Sequence, residues 1–567
     1  MTTDKIWLRH YPDQISSSLS YENKTLHSYL KEAAHAVPNK EALDFLGKTM
    51  TYHEVYDEAL RLANQLILLG IKKGDRVAVM LANSPQAVIC YYGVLMSGAI
   101  VVQTNPLYVE REIEHQVNDS EAKVMICLDA LFPRVEKIRG NSSLEHVIVT
   151  SIKDYLSFPK NLIYPFVQKR QTGMKVTIDY NDNTHHLTSI LTSGQAVEPE
   201  VTVDPSEDLA LLQYTGGTTG LAKGVMLTHS NLVINTQQAG AWMYRMRAGE
   251  ERTLAALPFF HVYGMTVVMN FSIMYRSKMI ILPKFDPVQA LKAIDKHDIT
   301  LFPGTPTMYV GLINEPSMKK YNLSSIKVCL SGSAPLPLEV QERFEKLSGG
   351  KLVEGYGLTE TSPVVMSMPI WGKQKIGSTG IPWPDTDADI LSIQTNQSAK
   401  DGEIGEIIVK GPQVMKGYWN QPEETAASFN EDWFLTGDMG YRDEDGYFYI
   451  VDRKKNVIIA GGFNIYPREI EEVLYEHVGI QEAVVIGIPD PYRGETVKAF
   501  IVLKEHQRLT SDELQAFCRK RLASFKVPRL FEFRDELPKT MVGKVLRRVL
   551  LEEEKKKLQS DETTGNH

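Results

Sequence analysis

The sequence contains few cysteines, and their spacing suits neither a disulfide framework nor a zinc site. Its 567 residues include four, Cys90, Cys127, Cys329 and Cys518, which are widely separated and form no CxxC pair. Disulfide-stabilised secreted domains and zinc ribbons need dense or paired cysteines. The spacing therefore predicts a protein of a reducing compartment in which each thiol is a small apolar core residue.

Long apolar runs are also missing. The best one, from Met265 to Leu282, is interrupted by Arg276 and Lys278, whereas a membrane-spanning helix needs about 20 consecutive apolar residues. We therefore expect this stretch to be buried core. The first residues, MTTDKIWLRHYPDQI, lack the apolar segment and the small-residue cleavage site of a signal peptide. The expectation is a cytoplasmic protein.

The chain has no excess of positive charge. There are 62 lysines and arginines against 70 aspartates and glutamates, which gives a net charge of -8. No global field would attract nucleic acid, so an anionic ligand would need a local site. The 43% hydrophobic and 23% charged residues are typical of a globular protein. The length predicts more than one folding unit.

Alternating strand and helix patterns are present. An apolar run at Val77–Leu81 precedes a helix that opens near Ser84, and a second apolar run follows at Ile100–Gln103. This order is typical of a βαβ unit. Similar alternations recur at residues 123–128, 279–297 and 327–338. They predict the α/β class, with a large N-terminal α/β domain built on mainly parallel sheets covered by helices.

The stretch from about residue 154 to 208 has a different composition, rich in Asn, Ser, Thr, Pro and charge. It is predicted to be a long surface connection or insert. Within it, residues 159–170 alternate apolar and aromatic blocks with basic ones. One prediction is that this segment rests peripherally on an anionic membrane at the cytoplasmic face. The alternative is that it packs on its own protein.

Beyond Arg453 the pattern changes to short strands and short helices. Strands at Ala483–Ile488 and Val497–Leu503 are predicted to flank a helix, and Thr510 with Glu513 forms a capping-box pattern at its start. This indicates a small C-terminal α+β domain of acceptable size. The predicted boundaries are 1–453 for the large domain and 454–567 for the small one.

One loop is rich in groups that bind phosphate. Residues 214–224 read YTGGTTGLAKG and follow the apolar run Leu209–Leu212. Glycines let backbone N–H groups approach phosphate oxygens, threonine hydroxyls add donors, and Lys223 neutralises charge. The loop is not a Walker A motif, because no glycine directly precedes the lysine. A flexible linker would not lie between an apolar strand and the regular run VMLTHSNLVI, so the loop is predicted to hold a polyphosphate.

The loop and six later motifs resemble those of the acyl-adenylate-forming superfamily, which includes acyl-CoA synthetases, luciferases and carrier-protein adenylation domains. The resemblance runs from roughly residue 25 to 550. Besides YTGGTTGLAKG, the motifs in order are LPFFHVYG from Leu257, SGSAP from Ser331, EGYGLTET from Glu354, WFLTGDMG from Trp433, YFYIVDRKKNVIIAGGFNIYPREIE from Tyr447 and PKTMVGKVLRR from Pro538.

The resemblance implies ATP and Mg²⁺ as ligands. Glu360, with Thr215, matches the magnesium site, Tyr356 the adenine platform, and Asp438 with Arg453 the ribose contacts. A carboxylate suits Mg²⁺, and an aromatic ring suits a flat base. The ATP- and AMP-binding set is Thr215, Gly216, Gly217, Thr218, Thr219, Gly220, Lys223, Gly332, Ser333, Ala334, Glu354, Gly355, Tyr356, Gly357, Thr359, Asp438 and Arg453.

Further roles follow from the same resemblance. Lys544 matches the lysine that contacts both the attacking carboxylate and the α-phosphate, which would offset the repulsion between two anions. A lone histidine beside aromatics is commonly a satisfied core group, but His261 matches a residue at the entrance to the acyl site. The catalytic set is thus Lys544, Glu360, His261 and Thr215, and Val262, Tyr263, Gly264 and Met265 are predicted to line the acyl pocket.

The family makes its thioester by rotating the small domain about a hinge, and this position is Lys455 here. The rotation would bring a small-residue segment to the adenylate, so Gly461, Gly462 and Asn464 are predicted to contact coenzyme A, the co-substrate. The segments VDRKKNVIIAGGFNIYPREIEEVLYEH and DPYRGETVKAF resemble bacterial long-chain-fatty-acid–CoA ligases in particular.

The predicted reaction is ATP-dependent activation of a long-chain fatty acid, followed by transfer to coenzyme A. Alternatives remain open. They are an aryl- or medium-chain acyl-CoA ligase, an acyl-AMP ligase that serves a separate carrier protein, a luciferase-type oxygenase, and a non-enzymatic fatty-acid binding or transport factor. The sequence defines neither the preferred acyl chain length nor the oligomeric state, and a homo-oligomer is one of the alternatives.

Overall fold

The computed structural model describes residues 5–172, 177–215, 222–460, 463–490, 493–539 and 545–564. Its α-helices are α1 Leu26–Ala36, α2 Tyr52–Leu68, α3 Pro85–Met96, α4 Glu110–Ser120, α5 Phe132–Arg139, α6 Lys160–Thr172, α7 Leu187–Ser193, α8 His229–Trp242, α9 Phe271–Met274, α10 Pro287–His297, α11 Pro306–Asn314, α12 Leu338–Ser348, α13 Pro422–Ala427, α14 Pro467–Tyr475, α15 Ser511–Arg519 and α16 Arg547–Thr564.

The strands alternate with these helices along most of the chain. They are β1 Glu41–Phe45, β2 Lys48–Thr51, β3 Arg76–Met80, β4 Ile100–Gln103, β5 Ala122–Leu128, β6 His146–Thr150, β7 Thr184–His186, β8 Leu209–Thr215, β9 Lys223–Thr228, β10 Arg252–Ala255, β11 Lys278–Ile281, β12 Val328–Ser331, β13 Lys351–Gly357, β14 Val364–Ser367, β15 Ile381–Pro382, β16 Asp387–Leu391, β17 Gly405–Lys410, β18 Gly417–Tyr418, β19 Phe429–Asn430, β20 Trp433–Arg442, β21 Phe448–Arg453, β22 Ile458–Ala460, β23 Phe463–Ile465, β24 Ile480–Asp490, β25 Gly494–Leu503 and β26 Leu530–Phe533.

The chain divides into two compact units. The larger contains Trp7–Asp387 and Lys410–Phe434, and the smaller contains Ala388–Val409 and Leu435–His567 together with Met1–Ile6. A large N-terminal unit of α/β structure with a smaller C-terminal one was predicted, and this fold class is confirmed. The predicted boundary after Arg453 and the hinge at Lys455 both fall inside the smaller unit. The hinge stays a prediction.

The larger unit is built around an eight-stranded sheet in the order β18-β9-β8-β4-β3-β5-β6-β7. The six strands from β8 to β7 in this order run parallel, and β9 and β18 add antiparallel pairs at the other edge. The predicted βαβ unit is confirmed as β3, α3 and β4. Ser84 caps α3 by accepting the Ala87 N–H at 3.3 Å.

The apolar stretch Met265–Leu282 is buried, as expected. It forms a π-helical turn at Gly264–Asn270, then α9 and β11. Met265, Ile273 and Ile281 are each fully buried inside the larger unit. Within the described residues, no helix combines the length and the apolar character that crossing a membrane requires.

The prediction for residues 154–208 was wrong in part. The segment contains helices α6 and α7 and the strand β7, which extends the large sheet by pairing in parallel with β6. β7 lies at the edge of the sheet, where one side of a strand needs no partner and polar residues are tolerated. The polar composition therefore concealed an edge strand.

The smaller unit is centred on the antiparallel hairpin β24–β25, with β22, β23 and β26 completing its sheet. The expectation that two strands flank the capped helix was wrong, because they pair directly and both precede α15. The capping box is confirmed, since Thr510 and Glu513 bond reciprocally. The four cysteines are buried in the two units, as predicted.

Candidate functional site

The predicted phosphate loop joins β8 to β9. These strands form an antiparallel pair in which Thr215 lies opposite Lys223 and Tyr214 lies opposite Gly224. The hairpin thus places the Thr215 hydroxyl and the Lys223 ammonium on neighbouring strand ends. The intervening Gly216, Gly217, Thr218, Thr219 and Gly220 lie outside the described residues.

Lys223 meets two side chains from a distant part of the sequence. Its ammonium pairs with the carboxylate of Glu424 and lies 5.3 Å from the ring centroid of Tyr418. Tyr418 is in β18, which pairs with β9 through Tyr418 and Val225. No motif of the sequence includes Tyr418 or Glu424, because both lie about two hundred residues from the loop and only the strand pairing brings them to it.

Tyr418 also connects the loop to Glu360. Its hydroxyl donates to Glu360 Oε1 at 2.9 Å, and burial, followed by the charge of Glu360, raises the pKa of the phenol. The tyrosine therefore stays a hydrogen-bond donor. The structure thus brings Lys223 and Glu360, two of the predicted site residues, into contact with one aromatic side chain.

Glu360 lies in a 3₁₀ turn at Thr359–Thr361. Its backbone carbonyl accepts the Met415 N–H at 2.8 Å, which fixes the turn. The carboxylate has two oxygens and Tyr418 engages one of them, so the donor chemistry fits Mg²⁺, which is commonly held by one or two carboxylates together with substrate phosphates. Among the residues that the structure describes, no cluster of three or more His, Cys, Asp or Glu forms a metal site.

The segment predicted to bind adenine is the end of β13. Tyr356 is buried and pairs with Met366 of β14. A side chain at Gly357 would place its Cβ 1.8 Å from the Pro363 carbonyl oxygen. Glycine is therefore required there by the close approach of two backbone segments.

The neighbouring strand β12 ends beside this segment. β12 and β13 are parallel, with Ser331 opposite Glu354, and Glu354 accepts the Leu336 N–H at 2.7 Å. The backbone turns sharply between these points, because Ser333 has a φ of 71°. The predicted residues Gly332, Ser333 and Ala334 thus form a turn whose far side is held by Glu354.

The predicted acyl-pocket residues follow His261. Its Nδ1 accepts the Tyr263 N–H at 3.3 Å, and Val262, Tyr263, Gly264 and Met265 are all buried. A Cβ at Gly264 would lie 2.3 Å from the Pro258 carbonyl oxygen. The packing consequently leaves no space for a side chain at position 264.

Tyr263 joins this segment to the turn after β12. Its hydroxyl donates to the Leu330 carbonyl at 2.6 Å, and burial raises the pKa of the phenol. A Cβ at Gly332 would lie 3.0 Å from the Tyr263 ring. The predicted acyl and nucleotide residues therefore share one packed wall in the larger unit.

In the smaller unit, Asp438 and Arg453 form a direct ion pair. They lie opposite each other on β20 and β21, and Arg453 Nε is 2.6 Å from Asp438 Oδ1. Asp438 is buried, and its N–H donates to the Thr436 hydroxyl at 3.1 Å. The two residues predicted to contact one ribose are thus adjacent in space.

The remaining predicted residues of the smaller unit lie at its surface or outside the described residues. Lys455 lies in the 3₁₀ turn Lys454–Asn456, and Asn464 is exposed on β23 opposite Ile459. Gly461, Gly462 and Lys544 are not among the described residues. The chain on either side of the last is held by a bridge between Lys539 and Val545.

Comparisons with known proteins agree across the whole chain. A family model for AMP-binding enzymes matches residues 30–419, and a model for the C-terminal domain of AMP-binding enzymes matches residues 469–544. A long-chain-fatty-acid–CoA ligase of Bacillus subtilis is 57% identical over 98% of this chain and 99% of its own length. One of Salmonella typhimurium is 39% identical over the same shares.

A solved structure is similar as well. The crystal structure of ATP-bound MatB from Rhodopseudomonas palustris superposes with a TM-score of 0.82 at 30% identity, covering 94% of this chain and 99% of that one. The first family model spans more than half of the 567 residues, and the relatives are similar from end to end. The chain therefore belongs to the AMP-binding enzyme family.

Proposed function

We propose that this chain is a long-chain-fatty-acid–CoA ligase that forms an acyl-adenylate from ATP and a fatty acid and then transfers the acyl group to coenzyme A. The observation that carries the adenylation step lies at the end of the β8–β9 hairpin, where Thr215 is opposite Lys223. Lys223 and Glu360 both contact Tyr418 there. The 57% identity to the Bacillus subtilis ligase supports the choice of acid and acceptor.

In the first step, a carboxylate oxygen of the fatty acid attacks the α-phosphorus of ATP. The bond from that phosphorus to the bridging oxygen of pyrophosphate breaks, so pyrophosphate leaves and the acyl-adenylate remains. Lys223 and the Thr215 hydroxyl would bind phosphate oxygens, which compete with Glu424 for the Lys223 ammonium. Lys544 would offset the repulsion between the carboxylate and the phosphate.

Mg²⁺ fits this site through Glu360. When bound, the ion would neutralise phosphate charge and help to orient the oxygens of the nucleotide. Tyr418 would orient the Glu360 carboxylate for this purpose, since its hydroxyl already holds Oε1. Tyr356 would support the adenine ring, and Asp438 with Arg453 would bind the ribose hydroxyls.

In the second step, the sulfur of coenzyme A attacks the acyl carbon. The bond between that carbon and the AMP oxygen breaks, which gives the thioester and AMP, and the thiol proton passes to solvent. Gly461, Gly462 and Asn464 are the proposed contacts of coenzyme A, with Lys455 as the hinge that exchanges them for Lys544. His261 and the buried residues 262–265 would line the path of the acyl chain.

A pyrophosphate-release screen tests this function. Purified protein is given ATP, Mg²⁺ and coenzyme A with acetate, a medium-chain fatty acid, a long-chain fatty acid or coumarate, and thioester formation is measured in parallel. The proposal expects the highest kcat/KM with the long-chain acid and one thioester per pyrophosphate. A preference for coumarate or a medium chain would identify an aryl- or medium-chain ligase.

Three other outcomes would change the class of function. Pyrophosphate release without thioester would indicate an acyl-AMP ligase that serves a separate carrier protein. Binding of the fatty acid without any pyrophosphate release would indicate a transport factor. Oxygen uptake with emission of light would indicate a luciferase-type oxygenase.

Peripheral membrane contact is a second part of the proposal, and helix α6 supports it. Its outward face exposes Leu162, Ile163, Phe166 and Val167, and Phe166 is 76% exposed. Phe158 just before the helix is 78% exposed. Monomeric proteins rarely leave such a contiguous apolar patch on the surface without a binding function.

The charged residues at the ends of this apolar face of α6 indicate what it binds. Lys160, Lys169 and Arg170 are exposed at its two ends, while Gln168 on the opposite face donates to Asp129 Oδ1 at 2.8 Å and fastens the helix to the protein. An apolar face flanked by basic residues suits the surface of an anionic bilayer. A fatty acid that partitions into lipid would be collected there.

Liposome sedimentation tests the contact. Vesicles of phosphatidylcholine with and without about a third of phosphatidylglycerol are compared for the parent and for Phe166→Asp, because one buried charge opposes insertion. The matched control is Leu68→Asp, at an apolar residue that is 75% exposed at the end of helix α2. Equal sedimentation of the parent and Phe166→Asp would remove this part of the proposal.

A further inference from the structure

Helix α4 contacts both stems of the phosphate loop, although no motif of the sequence includes it. Asp119 Oδ2 accepts the Tyr214 hydroxyl at 2.5 Å, and Tyr214 directly precedes Thr215. His115 Nε2 lies 3.1 Å from the Ala222 carbonyl oxygen, and Ala222 directly precedes Lys223. One helix therefore contacts the chain on each side of the loop.

The contact with the Ala222 carbonyl shows which ring nitrogen of His115 carries a proton. A carbonyl oxygen can only accept, so the hydrogen bond requires the proton of His115 to be on Nε2. The ring is half-buried and lines an open cleft of about 440 Å³ with Arg111, Glu114, Asn118 and Asp119. The stem that leads into Lys223 is thus held by a side chain rather than by a strand neighbour.

The contact at Tyr214 is supported by its surroundings. Tyr214 is 5% exposed, and burial, followed by the hydrogen bond to Asp119, raises the pKa of its phenol. The hydroxyl therefore remains a donor, and a buried hydroxyl without an acceptor would be unfavourable. A bond from a phenol to a carboxylate is stronger than a bond between neutral groups.

A third contact ties the same end of α4 to strand β9. The Trp419 indole N–H donates to the Asp119 carbonyl at 3.0 Å, and the Trp419 backbone N–H donates to the Gly224 carbonyl at 2.7 Å. A Cβ at Gly224 would lie 3.2 Å from the Tyr214 ring and 3.3 Å from Trp419. The base of the loop is thus clamped between two aromatic side chains that both bond to Asp119.

We propose that His115 and Asp119 are positioning residues for the phosphate loop, each holding one stem. This inference rests on the proposed function, because it assumes that the loop binds the phosphates of ATP. A loop with fixed stems loses less conformational freedom when the nucleotide binds. Removing either contact should therefore weaken the use of ATP specifically.

The test measures pyrophosphate release against ATP concentration at saturating long-chain fatty acid and coenzyme A. His115→Leu and Asp119→Ala each remove one contact, and the expected result is a KM for ATP raised about three- to tenfold, the range for one lost hydrogen bond. His115→Gln keeps an N–H donor and Asp119→Asn keeps an acceptor, so both should stay near the parent value. Glu114→Ala, on the same helix, is the matched control and should leave KM unchanged.

Two further measurements separate positioning from general damage. The KM for the fatty acid, and the conversion of supplied acyl-adenylate to thioester, should not change, since neither uses the β- and γ-phosphates. A smaller folded fraction would lower kcat but would leave KM for ATP where it was. An unchanged KM for ATP in both His115→Leu and Asp119→Ala would overturn the inference, and so would equal losses in the ATP and fatty-acid parameters.

Failure of the proposed adenylation step would look different. In that case the parent protein itself would release no pyrophosphate with any fatty acid. Failure of the inference requires an active parent whose ATP dependence does not respond to the two substitutions.

Discussion

The sheets at the centre of the two compact units bury different kinds of side chain. In the larger unit, β3, β4 and β5 are covered on both faces and bury aliphatic residues, and every residue of α3 is buried beside them. The smaller unit has an apolar hairpin, but it also buries Lys498 against Glu532 and Glu554, and Glu471 against the partly buried Arg547.

The difference follows from the amount of apolar surface each unit can bury. A parallel sheet with helices on both faces needs little beyond aliphatic packing. A small unit buries a lower share of its surface, and its helices α14 and α16 are additionally aligned by ion pairs. Apolar packing should therefore dominate the stability of the larger unit. Ion pairs should contribute more to the stability of the segment near residue 545.

The largest expected effect is that of replacing Lys544 in the smaller unit, which should slow one reaction step and not the other. Lys544→Ala should slow acyl-adenylate formation by about a thousandfold or more, on the scale of charge contacts in phosphoryl transfer. Conversion of supplied acyl-adenylate to thioester should continue. Single-turnover assays of each half-reaction check this.

The control for that lysine lies five residues earlier. Lys539 pairs with Glu482 at the surface of the smaller unit, so Lys539→Ala should change neither half-reaction by more than a few-fold. If Lys544→Ala slowed both half-reactions equally, its assignment to the first step alone would be wrong.

The fold was predictable where the pattern is local. The unit from β3 to β4 follows from two apolar runs, a capping serine and the rule that parallel strands need a crossover. The strand β7 was not predictable, because THH at a sheet edge carries no apolar alternation. Its place depends on pairing with β6, which is a non-local contact.

The candidate site divides in the same way. Thr215, Lys223 and Glu360 lie in glycine-rich or charged motifs that can be recognised along the chain. Tyr418 lies in the two-residue strand β18 and Glu424 lies in the short helix α13, and only the pairing of β18 with β9 brings them to Lys223. A residue that joins a site through sheet topology leaves no signal in its own neighbourhood.

The buried pair Arg547–Glu471 tests the role of charge in the smaller unit. The guanidinium Nη2 lies 2.5 and 2.6 Å from the two carboxylate oxygens. Burial raises the pKa of Glu471, and the Arg547 charge opposes that shift. Arg547→Met should cost about 3 to 5 kcal/mol of stability, because it leaves a carboxylate buried and unpaired.

Urea unfolding of the double variant completes this cycle. Arg547→Met with Glu471→Leu removes both charges, and an apolar pair of similar volume is often as stable as the ion pair. We expect the double variant to recover most of the lost stability. A double variant no more stable than Arg547→Met would show that shape, not charge, holds α14 and α16 together.

Acid should destabilise the larger unit first. His27 and His229 pack edge to face at 5.7 Å; burial lowers the pKa of His27 to about 4 and that of His229 far below its usual value. In the unfolded chain both titrate near about 6.5. The stability from keeping them neutral is full above that pH and is lost as pH falls towards 4, by about 2 kcal/mol for each histidine at pH 5.

The smaller unit should lose stability in a lower pH range. Burial alone would raise the pKa of Glu532, but hydrogen bonds from Lys498, Lys557 and Arg534 outweigh it and lower the pKa from 4.5 to about 2. That contribution is full above pH 4.5 and is lost only as pH falls towards 2. Between pH 6.5 and 5, the hydrogen-exchange protection factors should therefore fall in α1 and α8 but not in β26 and α16.

One substitution in each unit checks these windows. His229→Asn keeps an acceptor for the Leu26 N–H that bonds to His229 Nδ1 at 3.3 Å and does not titrate. It should reduce the response between pH 6.5 and 5 by about half, because His27 still titrates in the unfolded chain. Glu532→Gln should remove the response below pH 4.5. An equal loss of protection in both units of the parent at pH 5.5 would contradict the assignment.

The smallest effect is expected at Arg548, the residue next to Arg547. Its Nε lies 2.7 Å from Glu552 Oε1, but both side chains are about half exposed. Solvent and salt screen such a pair one turn apart on a helix, so Arg548→Ala should change stability by less than about 0.5 kcal/mol. Urea midpoints at low salt and at about 0.5 M salt measure the difference. Arg547 and Arg548 are adjacent on one helix and have the same helix propensity. If Arg548→Ala lost as much stability as Arg547→Met, burial would not explain why charge is important in this unit.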